Sequence, residues 1–306
     1  MLSIEHFSGL FPAVHTPMDT AGDLDLARIP DQVEHLLADG VAGMFVCGTT
    51  GEFASLTIPE RRRALEEFIA RVQGRVPVIA HVGHTCLRDA CALAEHAAAA
   101  GADAIAFSPP TYFIPASIDI LVECCAQVAS AAPGLPLLYY HIPAMTRMQM
   151  PLVEFLRSAG PRIPSLVGAK YTHEALNDFI QCVRLDAGRY LIMFGRDEML
   201  LSALVAGATA AVGTSYNFGA PVYRALWDAF DRGDLVTARE WQHRAAQMVG
   251  IMGSHGGLRA SKAIMRLIGC DCGPTRLPLA AVDDADRTTI SDELDAIGFF
   301  GWREGN

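Results

Sequence analysis

Lysine is almost missing from this sequence: of 24 basic residues only those at 170 and 262 are lysines, and the rest are arginines. Wherever a plain positive charge suffices the chain uses Arg, so a lysine marks a place where an amine matters. Long apolar runs are missing too, and none approaches the ~20 residues of a membrane-spanning helix, which argues against a membrane role. The opening residues Met1–His6 carry neither a basic stretch nor a long apolar one, so no secretory signal is read there, and a cytoplasmic protein is expected. Positive charge in excess is absent: a formal net charge of −10 argues against nucleic acid and offers an anionic substrate no long-range attraction. Any anion site must be built locally.

Cysteine gives no framework. The eight residues are irregularly spaced, with Cys47, Cys91, Cys124, Cys125 and Cys182 inside apparent strands or helices, as suits reduced thiols packed as small apolar groups. Cys270 and Cys272 form a lone C-x-C with no second pair at zinc spacing, and no metal is expected. His81-Val82-Gly83-His84 offers two histidines too close for two ligands on one strand face, so they are read as capping or packing the strand. No Gly-x-Gly-x-x-Gly follows the first apolar run, which speaks against an open nucleotide-binding sheet.

What the sequence does have is alternation. With 306 residues, 51% hydrophobic and 19% charged, the chain can bury a large core. Strand-length apolar runs recur at Leu10–Val14, Met44–Cys47, Val76–Val82, Ala104–Phe107, Leu137–Tyr140, Leu166–Lys170, Leu191–Phe194 and Ala210–Val212. Between them Leu26–Leu37, Pro59–Val72, Leu87–Ala99, Ile118–Ala131, Leu176–Leu185 and Met199–Val205 show helical spacing of three and four. Strand then helix, repeated at about twenty to thirty residues per unit, predicts an α/β fold: a (β/α)8 TIM barrel spanning residues 1–232. Leu235–Met252, Leu258–Ile268 and Ala285–Ile297 read as helices without strands, a C-terminal helical extension over 233–306 packed on the barrel.

Barrel chemistry sits where strands end. There the sequence places Lys170, inside the apolar run Leu166–Tyr171. A lysine among apolar neighbours can lose its proton, as arginine cannot at ordinary pH, and a neutral amine attacks a carbonyl to give an imine. Lys262 is read as a helical side chain serving charge or packing. Gly48-Thr49-Thr50-Gly51-Glu52 supplies two hydroxyls and backbone N–H groups suited to a carboxylate. In Tyr139-Tyr140 alternation lets only one phenol face inward, where a protonated imine would help it relay protons. Asp197 and Glu198 follow the seventh run, where they can start a helix or bind sugar hydroxyls.

These motifs, with Tyr140-His141-Ile142-Pro143-Ala144, Gly168-Ala169-Lys170 and Thr172, Gly213-Thr214-Ser215-Tyr216-Asn217, Ser261-Lys262-Ala263-Ile264-Met265 and Arg276-Leu277-Pro278-Leu279, occur in the order of the N-acetylneuraminate lyase and dihydrodipicolinate synthase family, which the chain resembles over nearly its whole length. Within it the likeness is closer to the N-acetylneuraminate lyases. The resemblance implies a Schiff base between Lys170 and the keto carbon of a pyruvate-releasing 2-keto acid, with no cofactor. It further implies that Thr49 and Thr50 hold the carboxylate and that Tyr140 is the acid/base group. Thr172, Gly195, Asp197, Glu198 and Thr214 would bind the hydroxylated tail. Tyr112 matches a residue that completes a neighbour's site, usually in a homotetramer, although Thr111 stands where an aromatic is common. The synthases carry an arginine where this chain has Met145, with Arg147 two residues on. Arg196 is a further departure, expected either to favour a second substrate carboxylate or to pair with Asp197. The activity implied is a class I aldolase cleaving N-acetylneuraminate. Other 2-keto acid aldolases or dehydratases, and a silent keto-acid-binding barrel, are the alternatives.

Overall fold

A computed structural model describes residues 4–303, so Met1–Ser3 of the opening segment lie outside it. Eight parallel strands make one sheet: β1 (Gly9–Pro12), β2 (Met44–Val46), β3 (Val78–His81), β4 (Ala104–Phe107), β5 (Leu137–His141), β6 (Leu166–Tyr171), β7 (Leu191–Phe194) and β8 (Ala210–Gly213). From β2 to β8 each strand pairs with the next in sequence, and β8 pairs with β1. The ring closes between β1 and β2, where the N–H of Val14 donates to the Phe45 carbonyl (3.0 Å) and that of Ala42 to the Leu10 carbonyl (2.8 Å). The result is the expected (β/α)8 barrel.

Its strands are apolar on both faces because both are buried, one in the barrel and one under helices. Phe11, Phe45, Ile79, Leu138 and Met193 fill the interior against small Ala104, Ala106 and Ala210. Leu137, Tyr139, Ala169 and Tyr171 face the helical layer. Each large apolar side chain so buried contributes roughly 1.5–3 kcal/mol. The register sets Lys170 beside Tyr140 on one side and Met193 on the other, on the inward face.

The helix Ile58–Val72 shows how local sequence and the C-terminal tail cooperate. Thr57 and Glu60 form a capping box with Pro59 in the first turn. The same Glu60 carboxylate accepts from Arg276 of the tail at 2.6 and 3.0 Å, and that bond is the main reason its pKa falls to about 2. Of the tail helices, Leu235–Ser254 packs against the helix Tyr216–Asp231 and the turn Asp197–Met199, Leu258–Leu267 also touches Tyr216–Asp231, and Asp284–Ala296 packs on these two tail helices. Among the described residues no helix is long and apolar enough to cross a membrane.

Candidate active site

Lys170 ends up inside the barrel near the C-terminal end of β6, 4% exposed. Its neighbours are rings rather than carboxylates: Nζ lies 4.3 Å from the centroid of Tyr140 and 4.4 Å from that of Phe45. Of the two tyrosines on β5, Tyr140 is the one that faces inward, while Tyr139 packs outward on Phe155 at 4.4 Å between ring centroids. The Tyr140 ring is fixed edge-on by Phe45 and His81, at 5.7 and 5.6 Å, and its hydroxyl lies 3.2 Å from Thr49 Oγ1. An amine and a phenol therefore share one small space, with a threonine hydroxyl in contact with the phenol.

The Thr49–Thr50 loop is bent into place by two residues in left-handed backbone, Cys47 (φ 56) and Glu52 (φ 55). Side chains other than Gly are strained there and persist only where surrounding contacts hold them. His81 holds Cys47, its Nδ1 lying 2.9 Å from the Cys47 carbonyl and its Nε2 3.0 Å from Ser108 Oγ. Burial keeps this imidazole neutral by pushing its pKa well below the usual value. His84 is turned elsewhere, accepting from the Cys86 N–H at 2.9 Å. Across the mouth, Thr50 and Thr214 hydroxyls meet at 2.6 Å.

The far wall comes from the ends of β6, β7 and β8. A Cβ at Gly195 would clash with Thr172 Oγ1, and one at Gly213 with Asp197 Oδ1, so both positions need glycine for these side chains to approach. The buried Thr172 hydroxyl has no partner among the described residues. Asp197 accepts from the Ser215 N–H (2.8 Å) and hydroxyl (2.6 Å). Burial, with the charge of Glu198 adding to it and the Ser215 bonds opposing it, raises its pKa to about 6. The expected pairing of Arg196 with Asp197 is not what forms. The turn Asp197–Met199 carries Asp197 inward to Ser215, and Arg196 on the rim binds Glu174 (2.6 Å) and Glu198 (2.9 Å).

Together these groups surround a cavity of about 230 Å³ that brings Thr49, Thr50, Tyr140, Lys170, Thr172, Gly195, Asp197, Glu198 and Thr214 to one place. Tyr112 is not among its lining residues. It stands 76% exposed on the loop after β4, its ring 5.1 Å from that of Phe113. Met145 is exposed as well, and Arg147 donates to the Thr111 carbonyl (3.0 Å) instead of reaching the cavity. Sequence reasoning missed Val249 and Met252, which line the cavity from the tail helix Leu235–Ser254. Nothing in a helical repeat says which barrel end it covers.

The raised Asp197 pKa has a definite sign for stability. A carboxyl that binds its proton more tightly when folded, near pH 6 against an ordinary value of 3.8, adds most to stability below the lower value and loses that contribution as pH rises through the upper one. About two units correspond to a contribution on the order of 3 kcal/mol. Asp197→Asn keeps an oxygen for Ser215 but cannot ionise. Urea unfolding from pH 4 to 7 is expected to show the variant gaining on the wild type across this range, whereas parallel curves would contradict the assignment.

The profile of the dihydrodipicolinate synthetase family matches residues 6–297. The N-acetylneuraminate lyase of Rattus norvegicus is 38% identical over 306 residues, covering 97% of this chain and 96% of its own. That of Homo sapiens is 38% identical over 308 residues with the same two coverages. Among solved structures, the Proteus mirabilis N-acetylneuraminate lyase superposes with a TM-score of 0.93 at 34% identity, over 95% of this chain and 99% of that one.

Proposed function

The chain belongs to the dihydrodipicolinate synthetase family, and on that footing we propose that it is a carbon–carbon lyase cleaving N-acetylneuraminate to N-acetylmannosamine and pyruvate through a Schiff base on Lys170. The position of Lys170 carries this reading: an amine enclosed by Tyr140 and Phe45 at the strand ends, with Thr49 on the phenol beside it. The neutral amine adds to the C2 carbonyl of the open-chain substrate, and loss of water leaves a protonated imine. Thr49 and Thr50 hold the C1 carboxylate. Tyr140, its phenol proton having left with the water lost in imine formation, takes the proton of the C4 hydroxyl as the C3–C4 bond breaks, the bonding electrons pass into the iminium, and the aldehyde product departs. The remaining enamine takes a proton at C3, and water then releases pyruvate and the free lysine. No step calls for a metal or cofactor.

The unpartnered Thr172 hydroxyl, with Asp197, Glu198 and Thr214, supports binding of a polyhydroxylated tail, and the apolar pair Val249 and Met252 offers an N-acetyl methyl a place to lie. Arg196 is already neutralised by Glu174 and Glu198, so it does not call for a second substrate carboxylate. The synthase alternative is disfavoured because Arg147 is spent on the Thr111 carbonyl. Assaying pyruvate release from N-acetylneuraminate beside shorter 2-keto-3-deoxy acids tests the reading. Release from the sialic acid should dominate, and preference for a shorter acid would overturn it.

Tyr112, exposed in one chain, is assigned to a neighbouring subunit's site in a homotetramer. Lys170→Ala and Tyr112→Ala proteins should each be poorly active, yet mixed oligomers should regain activity. In these a chain with Lys170 borrows the tyrosine of its partner. Were Tyr112 serving its own chain's site, mixing would restore nothing.

A further inference from the structure

The second lysine is as buried as the first but is held in the opposite way. Lys262, on the tail helix Leu258–Leu267, is 2% exposed. Its Nζ has Glu52 Oε1 at 2.7 Å, the Pro274 carbonyl at 2.8 Å and the Thr16 carbonyl at 2.9 Å. The two carbonyls accept two of the ammonium hydrogens and the Glu52 carboxylate lies in ion-pair contact, so this amine is held as a charged ammonium rather than offered to a carbonyl carbon. Its partner Glu52 closes the Gly48–Gly51 loop. The Glu52 side chain is wholly buried, its backbone is left-handed, and Oε2 accepts from the Arg276 N–H at 2.9 Å. Thr16, whose carbonyl takes one Lys262 hydrogen, donates its own hydroxyl to the Gly51 carbonyl at 2.8 Å. One residue along on each side, Ser261 Oγ meets His15 Nε2, also at 2.8 Å.

A buried ion pair is seldom more stabilising than apolar side chains of the same volume, so its presence asks for a role in fixing one conformation. Here the conformation is that of the loop bearing Thr49 and Thr50, which cannot relax into a left-handed Glu52 by itself.

We propose that Lys262 is a positioning residue for the carboxylate end of the substrate: through Glu52 and Thr16 it holds the Thr49–Thr50 loop, and it takes no part in the covalent chemistry. This rests on the functional reading above. Burial lowers the Lys262 pKa and Glu52 opposes the shift, in keeping with an ammonium kept charged by its partner. The tail is thereby part of the site, since it holds the loop from behind as Val249 and Met252 wall the cavity in front.

Lys262→Met, which keeps most of the length and removes the charge, separates this role from general stability. The readout is borohydride trapping of two ketones on Lys170 in the full chain: pyruvate, which uses the carboxylate loop, and acetone, which has no carboxylate. The pyruvate concentration for half-maximal labelling should rise about 10- to 100-fold, the scale of a small misplacement of a binding group. Acetone labelling should stay unchanged. The double variant Lys262→Met with Glu52→Gln leaves no stranded carboxylate, and it should show the same selective loss if the single variant folds poorly. If both ketones weaken in proportion, or neither weakens, the proposal is wrong. Failure of the wild type to trap pyruvate would instead sink the reading of Lys170 on which it stands.

Discussion

Lys170→Arg is expected to abolish turnover although it preserves the charge and much of the volume. Among the described residues no carboxylate forms an ion pair with this side chain, and two aromatic faces lie 4.3 and 4.4 Å from Nζ. A guanidinium would stack there readily. If the cation itself were the working part, arginine would serve. Imine formation instead needs a nitrogen lone pair, and arginine does not release its proton at any ordinary pH. Without the imine the C3–C4 electrons have no sink, and the variant should lose most of an acceleration that in enzymes runs upward of roughly 10⁶-fold. Pyruvate release by the folded variant, with circular dichroism as the control, is the measurement. Substantial activity would show that Lys170 acts as a charge.

Tyr140→Phe should separate the two halves of the reaction. The substitution removes one oxygen and keeps the ring that Phe45 and His81 hold edge-on and that lies beneath Lys170. Imine formation with pyruvate should persist. Cleavage, which needs the C4 hydroxyl proton removed, should slow by roughly 10²–10⁴-fold, or about 3–5 kcal/mol at 1.36 kcal/mol per tenfold. Single-turnover cleavage and borohydride labelling, measured side by side, give the split. Cleavage within a few-fold of wild type would move the acid/base role to another group.

Much of this was legible in the sequence, for reasons particular residues make clear. β4 and β7 coincide with their apolar runs because both faces of a barrel strand are buried, so the run and the strand are the same segment. β3 is shorter than Val76–Val82 at its start because Pro77 has no N–H to give a ladder. The helix Tyr216–Asp231 carries Gly219 and Pro221 and buries Tyr216 through Ala220 without a break, so it shows no amphipathic stripe to read. Lys170 stood out by its rarity. The choice between Tyr139 and Tyr140 waited on register, which aligns Lys170 with Tyr140. Pairings between distant segments left no local trace: Glu52 with Lys262, Arg196 with Glu174, and Glu60 with Arg276 are made by the closed barrel and its tail.

The most direct measurement of the central claim is to reduce the wild-type chain with borohydride in the presence of pyruvate, digest it, and locate the adduct by mass spectrometry. A single reduced pyruvyl group on Lys170 is predicted, with Lys262 unlabelled because its ammonium is buried, hydrogen-bonded to the Thr16 and Pro274 carbonyls and paired with Glu52. No adduct at all, or an adduct on Lys262, would contradict the account.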